Sequence, residues 1–264
     1  MAELTLQAMT EVDARYAKEC HEYDTHCEKS LAHFLAQDAL AIEEFDRRQR
    51  GEPPCKTDLW TELSKFQSDK KSGVTGPNIR KALRRFLEKE QNGMCCYCHR
   101  PLINIAHAKP IEHILPRKDF IQYTFKFWNL AVACFDCNQI KRDDVWANNA
   151  KLNLLPYPGP GEFTEMYHPR FHTFGEHVRF IRVQTNELLI SIYIGNTIQG
   201  KHLCLNLLKE LSAREIVLNS NPGLKAALDV INAATAEREG DLPPELKVYL
   251  EALYKSTSQL IKAT

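Results

Sequence analysis

The chain has 264 residues, with 34 basic and 34 acidic side chains, so its formal net charge is zero. This length allows one or two domains with a hydrophobic core. There is no run of about 18 apolar residues, so we expect no membrane-spanning helix. The acidic N-terminus also lacks the basic-then-apolar layout of a secretory signal. We therefore expect a cytoplasmic protein, in which nine cysteines indicate metal binding or burial rather than disulfides.

Residues 1–76 have the pattern of helices. Apolar residues recur there at three- and four-residue spacing, which predicts a core-facing stripe. The stripe consists of Leu31, Phe34, Leu35, Ala39, Ile42 and Phe45, and it continues in Trp60, Leu63 and Phe66. Residues 1–50 contain 6 basic and 11 acidic side chains, and "DKKSGVTGPN" separates the region from the rest of the chain. We expect a helical region that docks a partner.

A further helix is predicted to begin at Pro77, because proline is favoured at the first helical position. Its apolar residues share one face, its arginines and lysines share the other, and "QNG" at 91–93 ends it. From Arg80 to Asp144 the chain has 12 basic and 7 acidic residues. This basic balance fits a polyanionic partner, and it also fits an ordinary scatter of surface charge.

Two close cysteine pairs come after this helix. Cys95 and Cys98 lie in "MCCYCHRPL", and Cys134 and Cys137 lie in "ACFDCNQIK". Tetrahedral zinc takes four soft ligands, usually from two tight turns with this spacing. We therefore predict one structural Zn²⁺ on these four cysteines, the alternative being a chance pairing of core cysteines. Cys96 is not counted as a ligand, because Cys95 and Cys98 already have the usual spacing of a zinc-binding pair.

A closed four-thiolate site has no open coordination position and does no chemistry, so the enclosed segment needs its own explanation. The motifs "CCYC", "EHILP" and "FWNLAVACFDCNQIK" resemble, in order, the zinc-stapled branch of the HNH, or ββα-metal, endonucleases. The match covers residues 80–155. It implies an α+β chain, mainly helical, with a central ββα-metal module at 77–160 and a hairpin plus helices at 161–264. It also implies hydrolysis of nucleic acid, with DNA favoured over RNA, to 5′-phosphate and 3′-hydroxyl ends.

The resemblance assigns roles to four residues. His113 matches the general base, Glu112 the metal ligand of the first strand, and Asn129 the residue that pins the loop of the hairpin. Asn138 matches the last position of the motif and a second metal ligand. Other members have His at that position, and many have Asp in place of Glu112. Oxygen ligands suit Mg²⁺ or Mn²⁺, and an imidazole with a pKa near 6.5 can accept a proton from water at neutral pH.

The residues taken alone leave other roles open. His113 can be a core histidine, Asn138 can cap the helix after the second cysteine pair, and Asn129 can be purely structural. Candidate phosphate contacts, or else solvated surface charges, are Lys118, Lys126, Lys141 and Arg142. For the whole chain, the alternative is a zinc-stapled nucleic-acid-binding or scaffold module without catalysis.

The C-terminal part combines strands and helices. Alternating apolar residues at 177–195 predict a hairpin, and helices are predicted over 200–220, 224–238 and 244–262. The stretches "MYHPRFHTFGEHVRF" and "LCLNLLKELSARE" resemble the tail of HNH proteins that accompany an SMC-like ATPase in Septu and retron antiphage systems. This implies an ATPase partner and an antiviral role. The three histidines of this part are either another metal site or part of a proline-set loop, and they are His168, His172 and His177.

Overall fold

The structure is a computed structural model of the chain. It describes residues 6–19, 27–55, 57–67, 74–102, 109–147, 154–186 and 189–219, together with positions 223, 248 and 252. The described part contains helices and two antiparallel two-stranded sheets, which confirms the predicted α+β class. The helices predicted over 224–238 and 244–262 lie outside the described residues, apart from positions 248 and 252. None of the described helices is long and apolar enough to cross a membrane.

The chain divides into two compact units, each built from three separate segments. The first unit consists of Met1–Gly93, Ile111–Val132 and Asp143–Phe163, and the second of Met94–Pro110, Ala133–Arg142 and Thr164–Thr264. All four predicted cysteine ligands therefore belong to the second unit, whereas Glu112, His113 and Asn129 belong to the first. The division of the chain at residues 76 and 160 stays a sequence-based prediction.

In its described part, the first unit contains four α-helices, short 3₁₀ turns and one hairpin. The elements are α1 (Leu6–Glu19), α2 (Cys27–Gln49), α3 (Leu59–Lys65), α4 (Gly76–Glu90), β1 (Ile111–His113) and β2 (Leu130–Val132). The strands pair antiparallel, with His113 opposite Leu130. Helix α4 begins at Gly76, one residue before the predicted start, with Thr75 as its N-cap and Pro77 in its first turn. It ends at Glu90, directly before the predicted 91–93 break, where Gly93 has a positive φ of 67°.

An aromatic core joins the N-terminal helices to the hairpin. The ring of Tyr16 on α1 lies 6.2, 5.9 and 4.4 Å from the rings of Phe34, Phe86 and Phe127, measured between centroids. Phe34 also meets the edge of Phe125 at 5.3 Å. Helices α1 and α2 and the segment that leads into β2 therefore share one core, and α4 contributes Phe86 to it.

Helix α2 buries a face that only partly agrees with the predicted stripe. Its buried residues are Ser30, Phe34, Gln37, Ala41, Glu44 and Phe45. Leu35 and Ala39, which were predicted to face the core, are both exposed, Leu35 by 56%, and these two predictions are wrong. One residue advances a helix by about 100°, so Leu35 points well away from the face that Phe34 occupies. The polar Glu44 takes a place on this face because it pairs with Arg48 at 3.0 Å.

The second unit contains the cysteine turns, a hairpin and helices. Its elements are α5 (Phe135–Lys141), α6 (Phe174–His177), β3 (Val178–Gln184), β4 (Leu189–Gly195), α7 (Ile198–Leu203) and α8 (Lys209–Asn219). Strands β3 and β4 pair antiparallel along their whole length, which confirms the predicted hairpin. A π-helical turn at Cys204–Leu208 joins α7 to α8. Helix α8 packs on the hairpin, where the Ser212 hydroxyl donates to the Ser191 carbonyl at 2.8 Å.

Candidate metal centre and candidate active site

Cys95 and Cys98 lie in a tight turn that is fixed by backbone hydrogen bonds. The N–H of His99 donates to the carbonyl of Cys95 at 3.1 Å, and the N–H of Cys95 donates to the carbonyl of Arg100 at 2.9 Å. His99 has a φ of 54°, a left-handed conformation that few residues other than glycine adopt. The chain therefore reverses direction directly after the second cysteine of the pair.

Cys134 and Cys137 lie at the start of α5, where Cys134 is the N-cap residue. The four sulfur atoms lie within 4.8 Å of one another, and all four cysteines are buried. The sulfurs of Cys98 and Cys134 are 3.8 Å apart. That separation is the edge of a tetrahedron with metal–sulfur bonds of about 2.3 Å. The predicted convergence of the four cysteines is confirmed, and the group can hold a metal ion.

Cys96 does not belong to this group. It is buried and lies between two of its members in the chain. Among the described residues, the group of possible metal ligands contains only Cys95, Cys98, Cys134 and Cys137. The position of Cys96 therefore makes it a suitable control for substitutions of the ligands.

Arg100 places its guanidinium against the cysteine group. Its Nε lies 3.3 Å from the sulfur of Cys98, and its Nη2 lies 3.7 Å from the sulfur of Cys134. The same guanidinium pairs with Asp136 at 2.9 Å and with Glu215 at 2.7 Å. Burial alone would lower the pKa of Arg100, but the negative charges of Cys98 and Asp136 raise it well above its ordinary value. Arg100 is therefore a permanent cation beside the sulfur atoms.

The four thiols do not ionise alike. Burial opposes ionisation of Cys98, yet hydrogen bonds from the neighbouring cysteines and the charge of Arg100 lower its pKa well below that of a free thiol. Burial raises the pKa of Cys95 and of Cys137. Because a divalent ion binds thiolates, occupation of the group is coupled to the release of thiol protons.

His113 lies at the end of β1 and is half-buried. Its Nε2 is 3.0 Å from the carbonyl oxygen of Thr124. A carbonyl oxygen only accepts hydrogen bonds, so the neutral imidazole carries its proton on Nε2 and its lone pair on Nδ1. The ring also meets the edge of Trp60, with 4.7 Å between centroids. Contacts on two sides therefore fix the orientation and the tautomer of this ring.

Glu112 precedes His113 on β1, lies opposite Ala131 and is only 4% exposed. A buried carboxylate is costly unless it is paired, hydrogen-bonded or bound to a cation. Consecutive residues of a regular strand point to opposite faces, so strand geometry alone does not bring this carboxylate and the imidazole together. A joint role would need a departure from regular strand geometry at His113, where β1 ends.

Asn129 is fully buried, and its side chain holds the segment between the two strands. Its Oδ1 accepts the N–H of Leu115 at 2.7 Å and the hydroxyl of Tyr157 at 3.2 Å. Its Nδ2 donates to the carbonyls of Leu115 and Tyr123, each at 3.0 Å. Asn129 therefore links the segment after β1 with the turns that precede β2.

Asn138 lies in the second unit, on α5, and is half-buried. The N-cap residue of this helix is Cys134, so the alternative role of Asn138 as the cap is excluded. Its own backbone N–H donates to the carbonyl of Cys134 at 3.1 Å. The side chain of Asn138 therefore does not cap the N-terminus of α5.

The four candidate phosphate contacts differ in exposure. Lys118 and Arg142 are exposed, and Lys126 forms an ion pair with Asp38 at 2.6 Å. Lys141 is 0% exposed, because α5 turns it to a buried face, so its ammonium does not lie on the surface that a phosphate would meet. Of the four, Lys118 and Arg142 are best placed to contact a nucleic acid.

The three histidines of the segment before β3 act as hydrogen-bonding groups of a loop. The N–H of His168 donates to Nδ1 of His172 at 2.9 Å, and the N–H of Arg170 donates to Nδ1 of His168 at 3.3 Å. Nδ1 of His177 bonds the hydroxyl of Thr197 at 2.7 Å. Burial lowers the pKa of all three, that of His172 to about 4. Within the described residues they form no group of metal ligands, which favours the loop interpretation.

The sequence analysis did not name Thr124, Trp60 or Arg100 as site residues, although Trp60 was part of the predicted apolar stripe. Thr124 contributes only its backbone carbonyl to the contact with His113, and no residue type signals such a contact. Trp60 reaches His113 from α3, a separate helix. Only Arg100 carries a signal in the sequence, since it follows the first cysteine pair by two positions.

In comparisons with protein-family models, with curated proteins and with solved structures, nothing matches the chain. The resemblance to the HNH endonucleases therefore rests on the motifs quoted from the sequence. The structure shows that the four cysteines converge and that the Thr124 carbonyl contacts His113, and neither observation identifies a family.

We expect about one tightly bound metal ion per chain in the purified protein. The double variant Cys134→Ser/Cys137→Ser should lose it, because only two thiolates remain. Elemental analysis of the dialysed proteins measures this, and Cys96→Ser, which removes a buried cysteine outside the group, should keep the wild-type content. Undiminished metal in the double variant would contradict the assignment of the ligands.

Asn129→Ala should lower the free energy of unfolding by about 2–4 kcal/mol, because it removes the partner of the buried N–H and carbonyl of Leu115 and one of two donors to the Tyr123 carbonyl. Denaturant unfolding of the two proteins measures the difference. The control is Asn206→Ala, which removes an exposed side chain with a bond of 2.8 Å to a helix carbonyl and should cost less than about 1 kcal/mol. Equal losses in the two variants would show that Asn129 does not hold the hairpin loop.

Proposed function

We propose that the chain is a metal-dependent endonuclease of the HNH type that hydrolyses phosphodiester bonds of nucleic acid, with DNA as the favoured substrate. The observation that carries the proposal is the fixed orientation of His113 by the Thr124 carbonyl. A binding or scaffold module stapled by four cysteines needs the cysteines, but it has no use for a half-buried imidazole held in one tautomer. That module without catalysis is the alternative that the experiments below distinguish.

His113 is the proposed general base. With Nε2 donating to Thr124, it accepts a proton from water at Nδ1, and the water oxygen forms a bond to phosphorus. The bond between phosphorus and the 3′ oxygen breaks, and this oxygen takes up a proton from solvent. The products carry a 5′-phosphate and a 3′-hydroxyl group. A general base of this kind contributes roughly 10²–10⁴-fold to the rate.

From the resemblance, Glu112 and Asn138 are the proposed ligands of an exchangeable Mg²⁺ or Mn²⁺, and a role of Glu112 beside His113 requires that the chain departs from regular strand geometry where β1 ends. Their carboxylate and amide oxygens are of the kind that these hard ions prefer. The chemistry that such an ion supplies is neutralisation of the charge that develops on the phosphate. Lys118 and Arg142, which are exposed, would position the backbone of the nucleic acid.

For the four-cysteine group we propose zinc. Four thiolates with tetrahedral spacing are typical of a structural zinc site and leave no coordination position for a substrate. The cysteines would therefore hold the fold, and the chemistry would remain with His113, Glu112 and Asn138.

The weaker resemblance of residues 166–180 and 203–215 supports one addition, that the nuclease acts in the cytoplasm with an ATPase partner in antiphage defence. Residues 1–76 are the proposed docking region. Because α1, α2 and α3 belong to the same compact unit as the hairpin, the partner would bind their outer side, where Leu35 and Leu40 are exposed. If the chain and the proposed ATPase partner do not co-purify after co-expression, this part of the proposal is wrong.

His113→Ala should lower single-turnover cleavage by about 100-fold or more, because it removes the base. Folding and nucleic-acid affinity should stay near wild type, since the base acts in the transition state. Supercoiled plasmid and single-stranded RNA, assayed side by side with Mg²⁺, report both activity and substrate class. His202→Ala, which removes a histidine of α7 outside the proposed site, should cleave like the wild type.

Two outcomes of this assay would contradict the proposal. Cleavage by His113→Ala at more than about a tenth of the wild-type rate would exclude His113 as the base. A wild-type protein that binds plasmid and RNA in a mobility-shift assay but cuts neither would favour the module without catalysis.

Brief treatment with EDTA should stop cleavage, and added Mg²⁺ should restore it while the metal on the cysteines stays in place. Glu112→Gln, which keeps the shape of the side chain but removes its charge, should shift half-activation to a higher Mg²⁺ concentration. Glu176→Gln, a change of an exposed glutamate on α6, is the matched control and should leave the curve unchanged. Full activity of EDTA-treated protein that still holds its cysteine-bound metal would rule out the second, exchangeable ion.

A further inference from the structure

Arg100 contacts both halves of the four-cysteine group. Its Nε lies 3.3 Å from the sulfur of Cys98, in the first pair, and its Nη2 lies 3.7 Å from the sulfur of Cys134, in the second. The side chain is only 14% exposed. The proposed nuclease chemistry makes no use of this residue, although it is a cation placed between the two turns that hold the metal.

The guanidinium is suited to this position in a way that a lysine ammonium is not. It has five N–H donors in a rigid planar fork, whereas lysine has a single mobile charge. Arg100 makes four contacts with this fork, because besides the two sulfurs it pairs with Asp136 on α5 and with Glu215 on α8. Four thiolates around a divalent ion carry a net charge of about −2, and donors to sulfur disperse part of that charge.

Glu215 extends the contact from the cysteines to the C-terminal helix. It is 7% exposed, and its Oε1 accepts from Nη1 of Arg100 at 2.7 Å. A second contact runs from the hairpin to the first cysteine turn, where the hydroxyl of Tyr193 donates to the carbonyl of Cys98 at 3.2 Å. The hairpin and α8 are thus attached to the cysteine group through partly buried polar contacts.

We propose that Arg100 is a positioning residue of the metal centre, which donates N–H···S hydrogen bonds to the thiolates of Cys98 and Cys134 and, through its ion pair with Glu215, makes the stability of α8 depend on the bound metal. This inference rests on the metal-binding part of the proposed function and is independent of catalysis. When the sulfurs are not held by an ion, two of the four acceptors of the guanidinium lose their fixed positions. The guanidinium is then held less firmly, and the ion pair of Arg100 with Glu215, which stabilises α8, weakens.

The affinity for Zn²⁺, measured by competition with a chromophoric chelator, is the first test. Arg100→Gln should bind Zn²⁺ about 10-fold or more weakly than the wild type, which is the usual effect of removing an outer hydrogen-bond partner. Arg100→Lys keeps the positive charge but lacks the planar fork, and it should also bind Zn²⁺ more weakly than the wild type. This second variant keeps the test valid if Arg100→Gln fails to fold. Arg182→Gln, an exposed arginine of β3, is the control and should bind like the wild type.

The outcomes of this competition separate the inference from the function on which it rests. A wild-type chain that holds no Zn²⁺ would overturn both. A wild-type chain that holds Zn²⁺ together with an Arg100→Gln variant within about twofold of its affinity would overturn the inference alone.

Absorption of the Co²⁺-loaded protein gives a readout that a merely structural role would not change. Hydrogen bonds to sulfur lower the energy of its lone pairs, so they move the sulfur-to-cobalt charge-transfer bands to shorter wavelength. Arg100→Gln should move these bands to longer wavelength, and Arg182→Gln should not move them. Identical bands in the wild type and in Arg100→Gln would show that Arg100 does not donate to the sulfurs.

Hydrogen exchange tests the connection to α8. Removal of the metal from the wild type with a chelator should speed exchange of the amides of Lys209–Asn219, and Glu215→Gln should show faster exchange there even when loaded with Zn²⁺. Lys209→Gln, which changes an exposed lysine at the start of α8, should keep the wild-type protection in the loaded protein. Unchanged protection of α8 after metal removal, or in loaded Glu215→Gln, would refute the connection.

Discussion

The convergence of four cysteine sulfurs is the constraint on which the other parts of the molecule depend. Cys98 and Cys134 are 36 positions apart in the chain, yet their sulfurs are 3.8 Å apart. The segment between them is therefore a closed loop, whose entropic cost grows only slowly with its length. The zinc ion that we propose for these cysteines would contribute on the order of 10 kcal/mol, more than the closure of such a loop costs. Strands β1 and β2, with His113, lie within this loop.

Within the loop, buried hydrogen bonds take over the positioning that a larger sheet would otherwise provide. The hairpin has only three residues in each strand, which is marginal by itself. Asn129 satisfies three backbone groups around it, and the carbonyl of Thr124 orients His113. Residues 124–129 thus stabilise the hairpin through Asn129 and orient the imidazole through the Thr124 carbonyl. The fold and the proposed chemistry therefore depend on one short segment.

Short sequence patterns predicted the elements whose structure is decided by neighbouring residues. The spacing of Cys95 and Cys98 indicated a tight metal-binding turn, Pro77 indicated the start of α4, and alternation at 177–195 indicated the β3–β4 hairpin. Contacts between distant positions were not predictable in this way. The ion pair of Arg100 with Glu215 joins residues 115 positions apart, and the burial of the charged Lys141 follows from packing around α5. Leu35 was assigned to the core because an apolar stripe does not show which of two adjacent residues faces inward.

Catalysis by His113 is tested most directly by chemical rescue. His113→Gly removes the imidazole and leaves space for a free one, and single-turnover cleavage of plasmid is then measured with increasing imidazole. We predict that cleavage by the variant rises with the concentration of neutral imidazole, and that the wild type is unaffected. A folded His113→Gly variant that binds plasmid but gains no activity from imidazole, beside a wild type that cleaves, would contradict the role of His113 as the base.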